Sequence, residues 1–239
     1  MAIFAIADLH LAGAAGDAKS MEVFGRRWIG GKNKLIEKWS AVVSPGDDVV
    51  IPGDISWAMT LPEAREDFAL IDSLPGTKYI GKGNHDFWWT TASKMNRFFS
   101  ENGFSTLRLL FNNSHVTDCG IICGTRGWFP EETYQHTVSE VDWQKIVNRE
   151  ALRLEQSLRA APQDTSLPVF VFLHFPPVWN GFVCREILDV LHRYGITRCC
   201  YGHIHGVYSS EANFEYEGIA FEIISADYLD FCPHLIAKN

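Results

Sequence analysis

Five short polar clusters are spread along the chain: Asp8-Leu9-His10, Gly53-Asp54, Gly83-Asn84-His85-Asp86, a lone His174, and Gly202-His203-Ile204-His205. They supply carboxylates, imidazoles and one carboxamide, the mixed oxygen and nitrogen set that divalent transition metals take. In Asp-x-His and Gly-His-x-His the two donors, placed on a strand, point the same way, so each pair can hold one ion. Asn84 offers a neutral oxygen, His85 can exchange protons near neutral pH, and Asp86 can orient that imidazole. Gly83 permits a close backbone approach or a positive φ. Imidazoles suit Zn²⁺, Fe or Mn²⁺ rather than Ca²⁺. Singly, each cluster also reads as a polar turn, Gly53-Asp54 most plainly. Together, in this order, they favour a two-metal centre.

Each cluster follows a short apolar run that reads as a β-strand, which would gather the polar residues at one edge of a sheet, where open α/β folds place their ligands. Strand-like runs at 2–7, 48–51 and 78–80 alternate with helical patterns at 34–43, 60–74 and 90–101. The second helix opens on Thr60-Leu61-Pro62-Glu63, a capping-box pattern with an early proline. This βαβαβα series implies parallel strands joined by right-handed crossovers. The runs at 105–110, 115–116 and 120–124 leave no room for helices and predict antiparallel or mixed pairing. A long amphipathic helix over 138–160, a buried strand over 168–173 ending at His174, a helix over 183–194 and a strand over 197–201 follow. Terminal strands are read at 212–217, 220–225 and 234–237. The order predicts an α/β fold of two packed mixed β-sheets flanked by helices.

With 239 residues, 46% of them apolar, and no linker or repeat, the chain reads as one domain over 1–239. Residues 1–7 lack the basic start and length of a signal peptide, and no run is long enough to span a membrane. Six cysteines in such a chain read as reduced thiols, which points to the cytoplasm. Cys119 and Cys123 flank a strand-like Gly-Ile-Ile with no second pair at zinc spacing, so they read as structural. Adjacent Cys199 and Cys200 must point to opposite faces of their strand. The formal net charge of −8 disfavours a nucleic-acid binder.

The five motifs, in this order from residue 8 to 205, resemble those of the calcineurin-like metallophosphoesterases. Gly53-Asp54-Ile55-Ser56-Trp57-Ala58-Met59 and Gly124-Thr125-Arg126-Gly127-Trp128 further resemble a branch of uncharacterised bacterial phosphohydrolases. The resemblance implies the family's four-layer α/β/β/α fold and two divalent ions, Mn, Fe or Zn. It implies that Asp8, His10 and His205 hold one ion, that Asn84, His174 and His203 hold the other, and that Asp54 bridges both beside a water or hydroxide. It also implies that His85 stays off the metals, contacts the phosphate and stabilises or protonates the leaving group, with Asp86 as its partner. A phosphatase or phosphodiesterase acting on a small molecule or nucleotide is the expected activity. A metal-dependent nuclease is the runner-up, and a catalytically silent scaffold the competing class, against which the intact His85 speaks.

Departures from relatives narrow this expectation. Purple acid phosphatases carry a metal-binding tyrosine where this chain has Trp57, and Ser/Thr protein phosphatases continue their Gly-Asp with Val-Asp-Arg-Gly, where this chain has Ile55-Ser56-Trp57-Ala58. Both specialisations are disfavoured. Arg126 is the candidate for the missing phosphate-gripping cation, against the alternative of an ordinary loop arginine. His136, in a stretch over 130–136 that could form a lid, is the other candidate substrate contact. Trp57, Trp88, Trp89, Trp128, Phe129 and Trp179 could rim the site, although packing of the ligand loops is the commoner role for such rings. Neither the physiological substrate nor the oligomeric state is legible.

Overall fold

In the computed structural model, which describes residues 1–13, 21–130 and 140–239, two sheets lie face to face between helices. Strands β1 (Ala2–Ala5), β2 (Asp48–Ile51), β3 (Thr77–Ile80) and β4 (Leu107–Leu109) run parallel in that order, and β13 (His234–Lys238) pairs antiparallel with β1. The second sheet comprises β5 (Ser114–Val116), β6 (Ile121–Thr125), β7 (Val169–Leu173), β10 (Arg198–Tyr201), β11 (Phe214–Tyr216) and β12 (Ile219–Ile223). Their order is β11-β12-β10-β7-β6-β5, the inner four parallel and both edges antiparallel. A small hairpin, β8 (Val178–Trp179) and β9 (Phe182–Val183), stands apart.

Period-2 alternation sorts the strand side chains into layers. Ile3, Val50 and Tyr79 from the first sheet meet Ile122, Phe172 and Cys200 from the second in the core between the sheets. On the outer face of the first sheet, Phe4, Val49 and Ile80 pack against α1 (Gly31–Val42), α2 (Arg65–Ser73) and α3 (Ala92–Glu101) through Trp39, Phe68, Met95 and Phe99. Outside the second sheet, Val171, Cys199 and Phe221 meet α4 (Glu140–Arg159) and α5 (Arg185–Arg193) through Val147, Leu154, Ile187 and Leu191. Each large side chain so buried contributes about 1.5–3 kcal/mol. The expected four-layer α/β/β/α arrangement is the observed one, and Cys199 and Cys200 do point into different layers. Among the described residues no helix is long and apolar enough to cross a membrane.

Two local expectations are corrected and one holds. The capping-box segment is not yet helix: Glu63 reaches back to the Met59 amide at 3.0 Å, one residue earlier than a Thr60 cap requires, and the helix opens only at Arg65. The mixed pairing expected of the middle runs is observed: β4 joins β3 in parallel through the crossover that α3 supplies, while β5 pairs antiparallel with β6. The first strand stops at Ala5, short of the ligand motif, for a reason that lies in the motif itself.

Candidate metal centre

The polar clusters meet at the carboxyl ends of β1, β2, β3, β7 and β10. A backbone bridge between Ala7 and Ser225 ties the end of β1 to the end of β12, so both sheets converge on one edge. Past Ala5 the chain leaves the extended region: Asp8, His10, Asp54 and His203 all hold positive φ, at 60°, 45°, 51° and 69°. Left-handed backbone costs an L-residue of order 1 kcal/mol, and such strain gathers at functional sites. Asp8 and His10 therefore converge through tight turns rather than through the same-face geometry of a strand, and so do His203 and His205. The turns are held side by side, with the amides of Asp8, His10 and Leu11 donating to Gly53, Asp54 and Ile55 carbonyls at 2.9–3.0 Å.

Two donor constellations result. His10 Nε2 lies 3.2 Å from His205 Nε2 and 3.7 Å from Asp54 Oδ2, and His205 Nε2 lies 3.9 Å from Asp8 Oδ1. Beside them, His174 places Nε2 2.6 Å from Asn84 Oδ1 and 3.6 Å from Asp54 Oδ2, with Nδ1 3.7 Å from Asp8 Oδ1. Within each of two groups, Asp8–His10–His205 and Asp8–Asp54–His174, donor atoms lie within 4.8 Å of one another. His203 flanks the second group, its ring 5.3 Å from that of His174 and 4.6 Å from Phe175, while its amide donates to Asp8 Oδ2 at 2.9 Å. The structure thus brings together all seven residues expected as ligands.

The electrostatics suit cations. Burial pushes the Asp8 carboxyl up to about 6, and Oδ1 has no hydrogen-bond partner. Burial, reinforced by neighbouring imidazoles, lowers His10 and His174 far below the usual range and His203 to about 3, so all three are neutral lone-pair donors at pH 7. Metal ligands must be in that state. His205 differs: burial lowers it, but a hydrogen bond to Asp227 and the charges of Asp8 and Asp227 hold it above the usual value. A proton or a metal ion on its Nε2 answers the same field. Buried unpartnered acceptors facing neutral imidazoles are what divalent ions would consume, and the donor set fits Mn, Fe or Zn.

The motif glycines make room for the carboxylates. A β-carbon added at Gly83 would overlap the Asp54 carboxylate, and one at Gly202 would stand 2.5 Å from Asp8 Oδ2. His85 stands beside the ligands, its ring 5.6 Å from His10 and 4.5 Å from Trp57, and its amide donates to Asp54 Oδ1 at 2.8 Å. Burial and then the His205 charge lower its pKa, which leaves a neutral ring with one N–H to donate. Asp86 corrects the expectation of a partner for that ring. Its buried carboxylate instead accepts from the backbone amides of Asp54, Ile55 and Gly83 at 2.7–2.9 Å and from Trp88 Nε1 at 3.1 Å. A desolvated carboxylate recruits such donors, and by doing so Asp86 clamps the Asp54 and Asn84 loops together.

Two participants escaped the sequence reading. Asp227, fully buried, takes His205 Nδ1 at 2.9 Å, the Gly206 amide at 3.0 Å and the Tyr208 hydroxyl at 3.2 Å. It thereby keeps the proton on Nδ1 and turns the Nε2 lone pair inward. The only sequence cue is an acidic residue shortly after an apolar strand, too common to single out. Trp28 edges both His10 and His205 at 5.8 and 5.3 Å and sits in a stretch without a motif.

Of the candidate rim, Trp57 stacks on His10 at 4.9 Å, while Trp88 and Trp128 are core residues. Arg126 turns its guanidinium toward Glu150, 3.8 Å away on α4, and over the Phe175 ring, while its carbonyl receives the His174 and Phe175 amides. His136 and positions 131–136 of the lid stretch lie outside the described residues.

A family model described as calcineurin-like phosphoesterase matches residues 1–207. Structures of similar fold include a Mycobacterium tuberculosis phosphopantetheinyl hydrolase, 14% identical, at a TM-score of 0.58 over 100% of this chain and 96% of that one. A protein of unknown function from Aquifex aeolicus is likewise 14% identical, with a TM-score of 0.51 over 98% and 95% of the two chains. A Thermus thermophilus protein is 10% identical, with a TM-score of 0.51 over 95% and 89%. No curated protein matches the sequence. At these identities the structures attest the fold, and it is the family model, spanning every one of the five motifs, that assigns the protein: the chain belongs to the calcineurin-like phosphoesterases.

Proposed function

We propose that the chain is a phosphohydrolase with two divalent ions that cleaves a phosphomonoester or phosphodiester of a small molecule or nucleotide. The observation that carries this reading is the pair of abutting donor groups that share Asp8, with Asp54 reaching toward both His10 and His174. Asp8, His10 and His205 would hold one ion, Asn84, His174 and His203 the other, and Asp54 both. Ions bound there would supply Lewis acidity toward phosphoryl oxygens and acidify water for in-line attack at phosphorus.

The chain's own groups do the rest. His85, outside both donor groups and neutral at pH 7, presents an N–H to the phosphoryl or leaving oxygen. Trp57 stacked on His10 and Trp28 at its edge exclude water and fix the ligand ring. Asp86 and Asp227 hold ligand loops and a ligand tautomer in place. That a protein of similar fold is described as a phosphopantetheinyl hydrolase supports ester hydrolysis on this framework. Six cysteines without disulfide partners support action in a reducing cytoplasm.

The test is turnover of aryl monoester and diester phosphates with Mn²⁺, run beside oligonucleotides. Metal-dependent hydrolysis of an aryl ester supports the reading. Cleavage of oligonucleotides alone would make the protein a nuclease, and no turnover of any ester under any of Mn²⁺, Fe²⁺ and Zn²⁺ would make it a silent scaffold.

A further inference from the structure

A polar cavity of about 160 Å³ lies past the ends of β3 and β6, lined by Lys82, Thr125, Arg126, Arg149, Glu150 and Arg153. Its lining carries four cationic side chains and one carboxylate in a chain whose net charge is −8. Glu150 is fully buried, yet of the three arginines near it Arg153 alone stands at hydrogen-bond distance, 2.6 Å, with Arg149 and Arg126 at 3.7 and 3.8 Å. Its other oxygen takes the Thr125 hydroxyl at 3.1 Å. One arginine would suffice to neutralise a buried carboxylate. Gathering Arg149 and the Lys82 ammonium beside the Arg153–Glu150 pair sets like charges against each other, a cost that an arriving anion relieves.

The cavity also adjoins the proposed metal centre through the chain itself. Lys82 directly precedes Gly83-Asn84-His85, and Arg126 receives the His174 amide at its carbonyl. Planar guanidinium forks grip phosphoryl oxygens in pairs. We propose that this cavity binds a second phosphoryl group of the substrate, so that the ester hydrolysed is a bisphosphate or diphosphate compound. The proposal rests on the phosphoesterase reading for the word substrate, but not for the binding of the anion.

Two experiments on the full chain separate these. In the first, kcat/KM with Mn²⁺ is compared for butane-1,4-bisphosphate and butyl monophosphate, in wild type and in Arg149→Gln, whose side chain is 54% exposed. The ratio of bisphosphate to monophosphate kcat/KM falls about tenfold in the variant, the scale of one charge-assisted hydrogen bond, and Arg149→Lys recovers part of it. An unchanged ratio overturns the proposal. In the second, inorganic phosphate is titrated calorimetrically into Asp54→Asn, whose metal centre is disabled, and into Asp54→Asn carrying Arg149→Gln. Saturable binding to the first that weakens about tenfold in the second supports an anion subsite even if no ester is turned over. Absence of phosphate binding to the first, or equal binding to both, refutes it.

Discussion

Replacing Asp227 by Asn alters neither shape nor packing, yet it should weaken the metal centre although the residue touches no ion. Asp227 is fully buried and accepts three hydrogen bonds, from His205 Nδ1 at 2.9 Å, Gly206 N at 3.0 Å and the Tyr208 hydroxyl at 3.2 Å. An amide cannot serve all three. With its oxygen toward His205, its NH₂ faces the Gly206 N–H, donor against donor. In the opposite orientation the NH₂ faces Nδ1, which must then give up its proton, and the proton moves to Nε2, where the ligand lone pair was. Either way a bond to a charged acceptor, worth about 1.5–3 kcal/mol, falls to a neutral one worth about 1 kcal/mol or is lost. The expected penalty of about 1–2 kcal/mol is roughly a 5–30-fold weaker affinity, at the lower end of the range usual for residues that orient ligands. Competition with a fluorescent chelator for Mn²⁺ or Zn²⁺ measures it, and Tyr208→Phe, which removes one donor and leaves His205 held, serves as the mild comparison. Affinity unchanged in Asp227→Asn, or lowered equally in Tyr208→Phe, would refute the orienting role.

The remaining expectations concern other parts of the site and fold. His85→Ala should keep its metal content while losing roughly 10²–10³ in turnover, the scale of removing one hydrogen-bond donor to a developing oxyanion; unchanged rates in steady-state assays remove His85 from the mechanism. Gly83→Ala, whose β-carbon would overlap the Asp54 carboxylate, should bind less metal by elemental analysis while circular dichroism shows a folded chain, and normal metal content would contradict the close approach. Glu222 tests the charge linkage of the fold: burial raises its carboxyl, but His234 and Arg198 override this and hold it at about 2 against 4.5. Because the folded value is depressed, its stabilisation is present above pH 4.5 and lost as pH falls toward 2. That stabilisation is about 1–2 kcal/mol once solvent screening is allowed for. Urea unfolding at pH 6 and pH 2.5 should therefore show a drop that shrinks in Arg198→Gln, and an identical drop in both proteins would refute the linkage.

What could be read from the residues alone followed from patterns with strict periods. Alternation put Cys199 and Cys200 on opposite faces, and strand-then-polar spacing brought Asp8, Asp54, Asn84, His174 and His203 to one edge. The local means of convergence was not legible. Same-face geometry on a strand explained Asp8 with His10 on paper, whereas positive φ at both residues does so in the fold, and nothing in Asp-x-His announces a left-handed turn outside glycine. Asp86 was assigned by adjacency to His85, yet neighbours in a turn diverge, and burial drew its carboxylate to backbone amides. Asp227 lies beyond the last motif and is brought to His205 by the parallel pairing of β12 with β10, a long-range contact without local signature. The sequence leaves Arg126 open between a phosphate-gripping cation and an ordinary loop arginine, and its place among Arg149 and Arg153 depends on how α4 packs against the end of β6.

The central claim is that two ions share one site through Asp54. Its most direct measurement is the metal stoichiometry of the purified chain after equilibration with Mn²⁺, alongside Asp54→Asn, with anomalous diffraction locating the ions. Two ions per chain, on either side of the Asp54 carboxylate roughly 3.5–4 Å apart, with both weakened in the variant, is the predicted result. A single ion in the wild type, or two fully occupied ions in Asp54→Asn, would contradict it.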